Sequence, residues 1–210
     1  MGREGESVAA IVLAAGRSSR MGRTKQLLPF SDSILLWRVV EAALKARLGR
    51  VVVVLGYKSG EIKAALKERI DACPRITVVC NPHFDRGMSS SIIAGLSAVE
   101  KSHDHVMILL ADMPFIGTEV INLLLDHYLA SDMPIGAIGV PEGIGHPVVF
   151  SRALYPELKQ LQGDVGARRV VQRYPQRICL VKPTVPYDNS DIDTASDYAK
   201  ARRIGHGNCA

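Results

Sequence analysis

Short, continuous apolar runs alternate along this chain with stretches of helical periodicity, and that rhythm restricts the fold more than any other feature. Val8–Leu13, Val51–Leu55, Ile76–Cys80 and Val106–Leu110 are rich in β-branched residues and lack the alternation of a half-solvated strand. Each is expected as a strand buried on both faces. Between them, Ile34–Leu48 places Leu35, Val39, Ala42, Ala43 and Ala46 on one face. Gly60–Ile70 and Ser89–Val99 read as further helices, with Ser59 as N-cap of the former, while Gly49 and Gly56 mark a helix end and a strand end. Such alternation predicts an α/β fold, a mostly parallel sheet with helices on both faces. The second half is less regular. Helix is expected over Ile116–Ala130, strands over Ile135–Val140 and Pro147–Phe150 with a Gly/Pro-rich connection Pro141–Gly145 between them, then a helical region interrupted at Gly163, a strand Ile178–Val181 and a closing helix Thr194–Arg203. Nothing resembling a repeat or linker divides the 210 residues, so 1–210 is expected as one domain, with 141–187 as a candidate substrate lobe.

In open α/β sheets, ligands gather beyond the carboxyl ends of the strands. That rule brings the Gly16–Lys25 loop, the Asn81–Ser91 segment and Asp112 to one rim. The first apolar run ends in Ala14-Ala15-Gly16 and then Arg17-Ser18-Ser19-Arg20-Met21-Gly22-Arg23-Thr24-Lys25, a loop with four cationic side chains. Small residues let backbone approach a ligand, successive N–H groups form an anion-binding concavity, and Arg and Lys neutralise charge. A polyphosphate suits this pattern; a basic surface turn is the plainer reading. No Gly-Lys-Ser/Thr follows, and the glycine spacing is not that of a dinucleotide fingerprint.

Asp112, in Leu110-Ala111-Asp112-Met113-Pro114, follows a buried run that Pro114 stops from continuing. Mg²⁺ takes one or two carboxylates plus phosphate oxygens, so Asp112 is a candidate metal ligand, or else the N-cap of the helix near Thr118. In Asp188-Asn189-Ser190-Asp191-Ile192-Asp193-Thr194, alternation about Ile192 turns Asp191 and Asp193 to the same side. One can complete a metal site while the other caps the last helix, although acidic helix starts are common.

Composition narrows the partners. A net charge of +5 with 22% charged residues suits an acidic small molecule, without the dense basic runs and interleaved aromatics of a nucleic-acid binder. No apolar run reaches membrane-spanning length, and the polar first seven residues do not resemble a signal peptide. Cys73, Cys80, Cys179 and Cys209 form no CxxC pair and read as reduced core or tail thiols of a cytoplasmic protein. His103 and His105 flank Asp104 away from the predicted rim and read as surface residues.

Together the motifs resemble a family. Leu13-Ala14-Ala15-Gly16-Arg17-Ser18-Ser19-Arg20-Met21-Gly22 with Lys25, Leu27, Leu28 and Pro29 is similar to the start of the nucleotidyltransferases that mature the molybdenum cofactor. The likeness continues in order through Asn81-Pro82, Gly87-Met88-Ser89-Ser90-Ser91, Ala111-Asp112-Met113-Pro114, Gly145-His146-Pro147-Val148, Gly163-Asp164-Val165-Gly166-Ala167-Arg168 and Asp191-Ile192-Asp193-Thr194. Ala14-Ala15 and the Gly-Asp-x-Gly-Ala-Arg segment look most like the molybdenum cofactor cytidylyltransferase branch; the guanylyltransferase branch usually has Gly-Gly at the first position.

The resemblance implies a doubly wound, Rossmann-like fold of the nucleotide-diphospho-sugar transferase type that moves CMP from CTP to the phosphate of molybdopterin and releases pyrophosphate. It implies triphosphate neutralisation by Arg20 and Lys25, with Arg17 and Arg23 as weaker candidates. Mg²⁺ would be held by Asp112 with Asp191 or Asp193. Leu13, Ala14, Ala15, Gly16, Arg17, Ser18, Ser19, Asn81, Gly87 and Ser91 would bind the nucleotide, and His146, Asp164, Gly166 and Arg168 the acceptor. His146 also reads as a satisfied strand-end histidine, and Asp164 as the cap of a helix near Gly166. A molybdoenzyme or its maturation factor is a candidate partner. Alternatives are a related transferase using GTP or another phosphorylated acceptor, and a non-catalytic cofactor-binding or insertion protein. Oxidoreductase functions also occur in this group, without support from a dinucleotide fingerprint here.

Overall fold

The computed structural model describes residues 5–141 and 143–207, with the side chains of 205–207 left aside. Among the described residues nine strands form: β1 Val8–Ala14, β2 Pro29–Phe30, β3 Ser33–Ile34, β4 Arg50–Leu55, β5 Ile76–Cys80, β6 His105–Leu110, β7 Ile135–Val140, β8 Gly143–Ser151 and β9 Ile178–Val181. The helices are α1 Leu35–Lys45, α2 Ser59–Ala65, α3 Lys67–Asp71, α4 Met88–Ser97, α5 Thr118–Leu129, α6 Tyr155–Lys159, α7 Arg168–Arg173 and α8 Ala195–Gly207. Seven strands make one sheet in the order β5-β4-β1-β6-β8-β7-β9, and β2 pairs with β3 in a separate hairpin. All neighbouring pairs in the sheet are parallel except those made by β8, which runs antiparallel to both β6 and β7. This is the doubly wound, mostly parallel α/β arrangement expected from the alternation.

Continuous apolar strands are needed because both faces are covered. In β1, Val8, Ala10, Val12 and Ala14 enter the core on the α1/α5 side, while Ala9 and Ile11 enter the core on the α4/α6/α7 side. Each fully buried Val, Leu or Ile contributes roughly 1.5–3 kcal/mol, so β1 is anchored from two directions. The edge strand β5 departs from expectation: only Ile76 is buried, since it has a neighbour on one side alone.

Several local expectations change. The Gly60–Ile70 helix is two short helices broken at Leu66, whose side chain turns into the core at 2% exposure. Lys58, at φ 52°, takes the N-cap position of α2, and Ser59 makes no capping bond. Pro141–Gly145 is not simply a connection: β8 begins at Gly143, which pairs with Val140 across a hairpin. Nor does Asp191 or Asp193 cap the last helix. Thr194 Oγ1 accepts from Asp197 N while Asp197 Oδ2 accepts from Thr194 N at 2.8 Å, a reciprocal capping box.

His103 and His105 lie away from the rim as expected, but they are buried, at 8% and 2% exposure. His105 Nδ1 stands 2.9 Å from the Tyr128 hydroxyl, and its Nε2 contacts Glu6. Cys73 and Cys179 are half-buried and Cys80 is exposed on the edge strand; all three are free thiols, and Cys209 lies outside the described residues. Among the described residues, no helix is long and apolar enough to cross a membrane.

Candidate active site

A cavity of about 370 Å³ opens at the carboxyl ends of β1 and β6. Its walls bring together Leu13, Ala14, Ala15, Gly16, Ser18, Ser19, Arg20, Lys25, Gly87, Ser91, Asp112, Asp164 and Asp193 from the sequence-predicted set. Met88, from the Gly87–Ser91 motif, also lines it, as do Gln26 and Phe84, which carried no sequence signal. A second recess continues outward past Arg17, Asp85, Arg86 and Gly163.

The charged centre is Lys25. Its ammonium donates to Asp112 Oδ2 at 2.7 Å, Asp193 Oδ1 at 2.9 Å and the Ile192 carbonyl at 3.2 Å, so all three donors are engaged. Burial works against the charged lysine, but the Asp112 and Asp193 carboxylates outweigh it and hold its pKa above the ordinary value. Arg20 Nη1 reaches the other Asp193 oxygen at 2.7 Å. Packing sets this geometry. Ile192 is 1% exposed in a small cluster with Met21, Leu28, Phe30, Leu35 and Tyr198, and its N–H donates to the Asp112 carbonyl at 2.9 Å. One buried isoleucine therefore clamps the acidic segment to the end of β6 and delivers Asp193 to Lys25.

Asp112 does not cap the following helix, because α5 begins at Thr118 behind Gly117. Its Oδ1 is buried without a hydrogen-bond partner. A carboxylate with one oxygen neutralised by lysine and the other unpartnered beside a cavity fits a divalent cation that also takes phosphate oxygens. Asp191 lies off the cavity wall. Partial burial, then the Asp193 and Asp112 charges, raise its pKa. Among the described residues, no group of three or more His, Cys, Asp or Glu side chains is gathered to hold a metal, so the three aspartates are not one ready-made ligand set.

Gly56 permits the loop after β1 to pass closely, since a Cβ there would lie 2.5 Å from Phe84 Cβ and 2.8 Å from the Ala15 carbonyl. Arg17 turns outward with its guanidinium 5.3 Å from the Phe84 ring centroid, and Arg23 is exposed away from the cavity. Asn81 is not on the wall. Its Nδ2 donates to Ser90 Oγ at 2.9 Å and Ser91 Oγ at 3.1 Å, and so fixes the first turn of α4.

That helix start is already supplied with an acceptor. Met88 N donates to Asp164 Oδ1 at 3.3 Å and Ser89 N to the Gly163 carbonyl at 3.3 Å. Asp164 thus serves α4, and the helix expected near Gly166 starts at Arg168. Gly87 makes the contact possible: its φ is +93°, and a Cβ would stand 2.4 Å from Asp164 N. Gly166 and Arg168 flank this contact without entering the cavity wall.

His146 sits in β8 with Nδ1 buried and unpartnered while its ring hydrogen-bonds the Ile108 backbone, so it is only half satisfied. Burial, reinforced by the Arg168 charge and opposed by Asp112, lowers its pKa and favours the neutral ring. Its backbone N–H donates to Asn189 Oδ1 at 3.1 Å, and the Tyr187 hydroxyl donates to its backbone carbonyl at 2.7 Å. Neither Tyr187 nor Asn189 has a role legible in the sequence alone.

The family model described as MobA-like NTP transferase domain matches residues 10–178. The protein named nicotine blue oxidoreductase from Paenarthrobacter nicotinovorans is 30% identical over 194 residues, covering 89% of this chain and 92% of that protein. The molybdenum cofactor cytidylyltransferase of Escherichia coli (strain K12) is 27% identical over 202 residues, covering 93% and 96% respectively. The crystal structure of Rv0371c from Mycobacterium tuberculosis H37Rv in complex with manganese is 28% identical, with a TM-score of 0.73 over 94% of this chain and 98% of that one.

Proposed function

This chain belongs to the MobA-like NTP transferase domain family, and from that premise we propose that it transfers CMP from CTP to the phosphate of molybdopterin, releasing pyrophosphate. The observation that carries the reading is the Lys25 ammonium held between Asp112 and Asp193 against a cavity walled by the Leu13–Gly16 backbone. Cationic side chains, a backbone loop and paired carboxylates are the requirements of transfer between phosphates, where the nucleophile is already an anion and needs no strong base.

The triphosphate lies along Leu13–Ser19, with Lys25 and Arg20 neutralising its negative charge. An acceptor phosphate oxygen attacks the α-phosphorus in line, forming a new P–O bond. The bond to the bridging oxygen breaks, and its electron pair leaves with pyrophosphate. Asp112 and Asp193 are the residues that would hold Mg²⁺, which when bound supplies charge neutralisation at the α-phosphate and leaving group. Gly87 and Ser91 face the sugar and base, with Asn81 holding Ser91 in place. His146, Asp164, Gly166 and Arg168 form the acceptor side. The selection of CTP is supported by Ala14-Ala15 and by the cytidylyltransferase relative. The protein acts in the cytoplasm, and its product passes to a molybdoenzyme or its maturation factor.

Pyrophosphate release by purified protein tests this reading, with Mg²⁺, CTP or GTP, and molybdopterin present or absent. The expected result is release from CTP only when molybdopterin is present, with little from GTP. Equal turnover of both nucleotides would remove the base assignment. Tight molybdopterin binding without turnover would point instead to a cofactor carrier.

A further inference from the structure

Four consecutive carbonyl oxygens at the end of β1 are committed to donors within the fold. Leu13 O accepts from Ala111 N at 3.1 Å and Ala15 O from Tyr57 N at 3.1 Å. Ala14 O and Gly16 O both accept from Gln26 Nε2, each at 3.1 Å. The other end of that carboxamide accepts a hydrogen bond from Ser18 Oγ at 3.4 Å, and Ser18 Oγ in turn accepts from Lys25 N at 3.3 Å.

Gln26 is 2% exposed. A carboxamide so deeply buried is costly unless bonded, and here both donors and the acceptor are used. The consequence reaches the cavity. A peptide carbonyl turned toward a bound anion would set partial negative charge against it, whereas an N–H edge attracts it. Backbone donors at Ala111 and Tyr57 fix two of the four carbonyls through the packing of neighbouring segments. The other two depend on one side chain.

We infer that Gln26 is a positioning residue for nucleotidyl transfer: its carboxamide holds the Ala14 and Gly16 carbonyls so that the loop offers N–H groups to the triphosphate. This inference rests on the reading above, that the triphosphate occupies this cavity. Gln26 borders the cavity, but its donors are spent on the loop, so it acts through the loop and not on the reacting atoms.

The test uses the full chain and inorganic tripolyphosphate, with calorimetry for affinity, amide NMR for the loop and thermal unfolding as a folding control. Wild-type protein should bind, with shifts at the Ala15, Gly16 and Arg17 amides. Gln26→Met, which removes the donors at similar volume, should bind about tenfold more weakly, and Gln26→Glu, which adds repulsion, about a hundredfold. Both should lose the amide shifts. Folded variants that bind with wild-type affinity would overturn the role of Gln26 while leaving the proposed function intact. Failure of the wild type to bind tripolyphosphate or CTP would overturn both. Should neither variant fold, the wild-type amides decide: binding without shifts at 15–17 contradicts the inference.

Discussion

Asp112 and Asp193 are joined through a single ammonium, with Lys25 Nζ 2.7 Å from one carboxylate and 2.9 Å from the other. The lysine occupies the place where a divalent cation would also seek these carboxylates. A unit charge at about 4 Å is worth about 4 kcal/mol at an effective dielectric of about 20, so the two cations compete. Lys25→Ala should therefore raise Mn²⁺ affinity at least about tenfold in the absence of nucleotide, read by electron paramagnetic resonance. With CTP present the gain should vanish, because the ammonium then has phosphate oxygens to turn to. Unchanged or weaker Mn²⁺ binding by the nucleotide-free variant would separate the lysine from the metal site.

Gly87 joins α4 to the Gly163–Asp164 segment at a positive φ, with backbone atoms 2.4 Å from where a Cβ would stand. Gly87→Ala should cost about 2–4 kcal/mol, combining backbone strain with a clash that no side-chain rotation relieves. Gly60, inside α2, has open space around its Cβ position, and Gly60→Ala should gain about 0.4–1 kcal/mol. Urea melts of the two variants measure the contrast. A Gly87→Ala protein as stable as wild type would contradict the close packing.

His103 supplies a pH signature remote from the rim. Burial, then the Arg50 charge, holds its imidazole below the ordinary 6.5. Below pH 6.5 the unfolded chain therefore takes up a proton that the folded chain resists. The stability is fully present above 6.5 and is lost as pH falls through the depressed folded value. His103→Gln should flatten the fall in unfolding free energy between about pH 7 and pH 5. Identical slopes for variant and wild type would mean that the folded histidine titrates normally.

Asn189 Oδ1 accepts from the His146 amide and lies 3.0 Å from the Tyr187 hydroxyl that donates to the His146 carbonyl, tying the acidic segment to β8 on the proposed acceptor side. Asn189→Ala should lower kcat/KM for molybdopterin about tenfold, the worth of one or two hydrogen bonds, while KM for CTP stays near wild type. A loss shared equally by both substrates would place this network with the nucleotide.

The sequence exposed those features whose physics is local. The four strands expected up to Leu110 end within one residue of expectation because β-branched runs and glycine punctuation act over neighbouring residues. The loop after β1 and the rim position of Asp112 followed from the same logic, whereas the choice between Asp191 and Asp193 stayed open in the sequence and is made by the packing that brings Asp193 to Lys25. Long-range pairing was less legible. Asp164 caps α4 from a distant loop, and nothing beside Asp164 in the chain announces that partner. Gln26 has no periodic signature, and its burial depends on the path of the loop it supports. Lys25 belongs to a cationic loop in sequence, yet tertiary packing leaves its side chain only 13% exposed between two carboxylates. The Thr194–Asp197 capping box is readable as a Thr-x-x-Asp spacing, but the denser acidic run at Asp191 and Asp193 offers competing caps in sequence.

Single-turnover pyrophosphate release by Asp112→Asn tests most directly whether the Lys25–Asp112–Asp193 centre carries the chemistry. The substitution keeps shape and removes the charge that faces the lysine and would face the proposed metal. With CTP, Mg²⁺ and molybdopterin saturating, and native folding verified by circular dichroism, the rate should fall at least about a thousandfold. A folded Asp112→Asn protein that releases pyrophosphate at the wild-type rate would contradict the account.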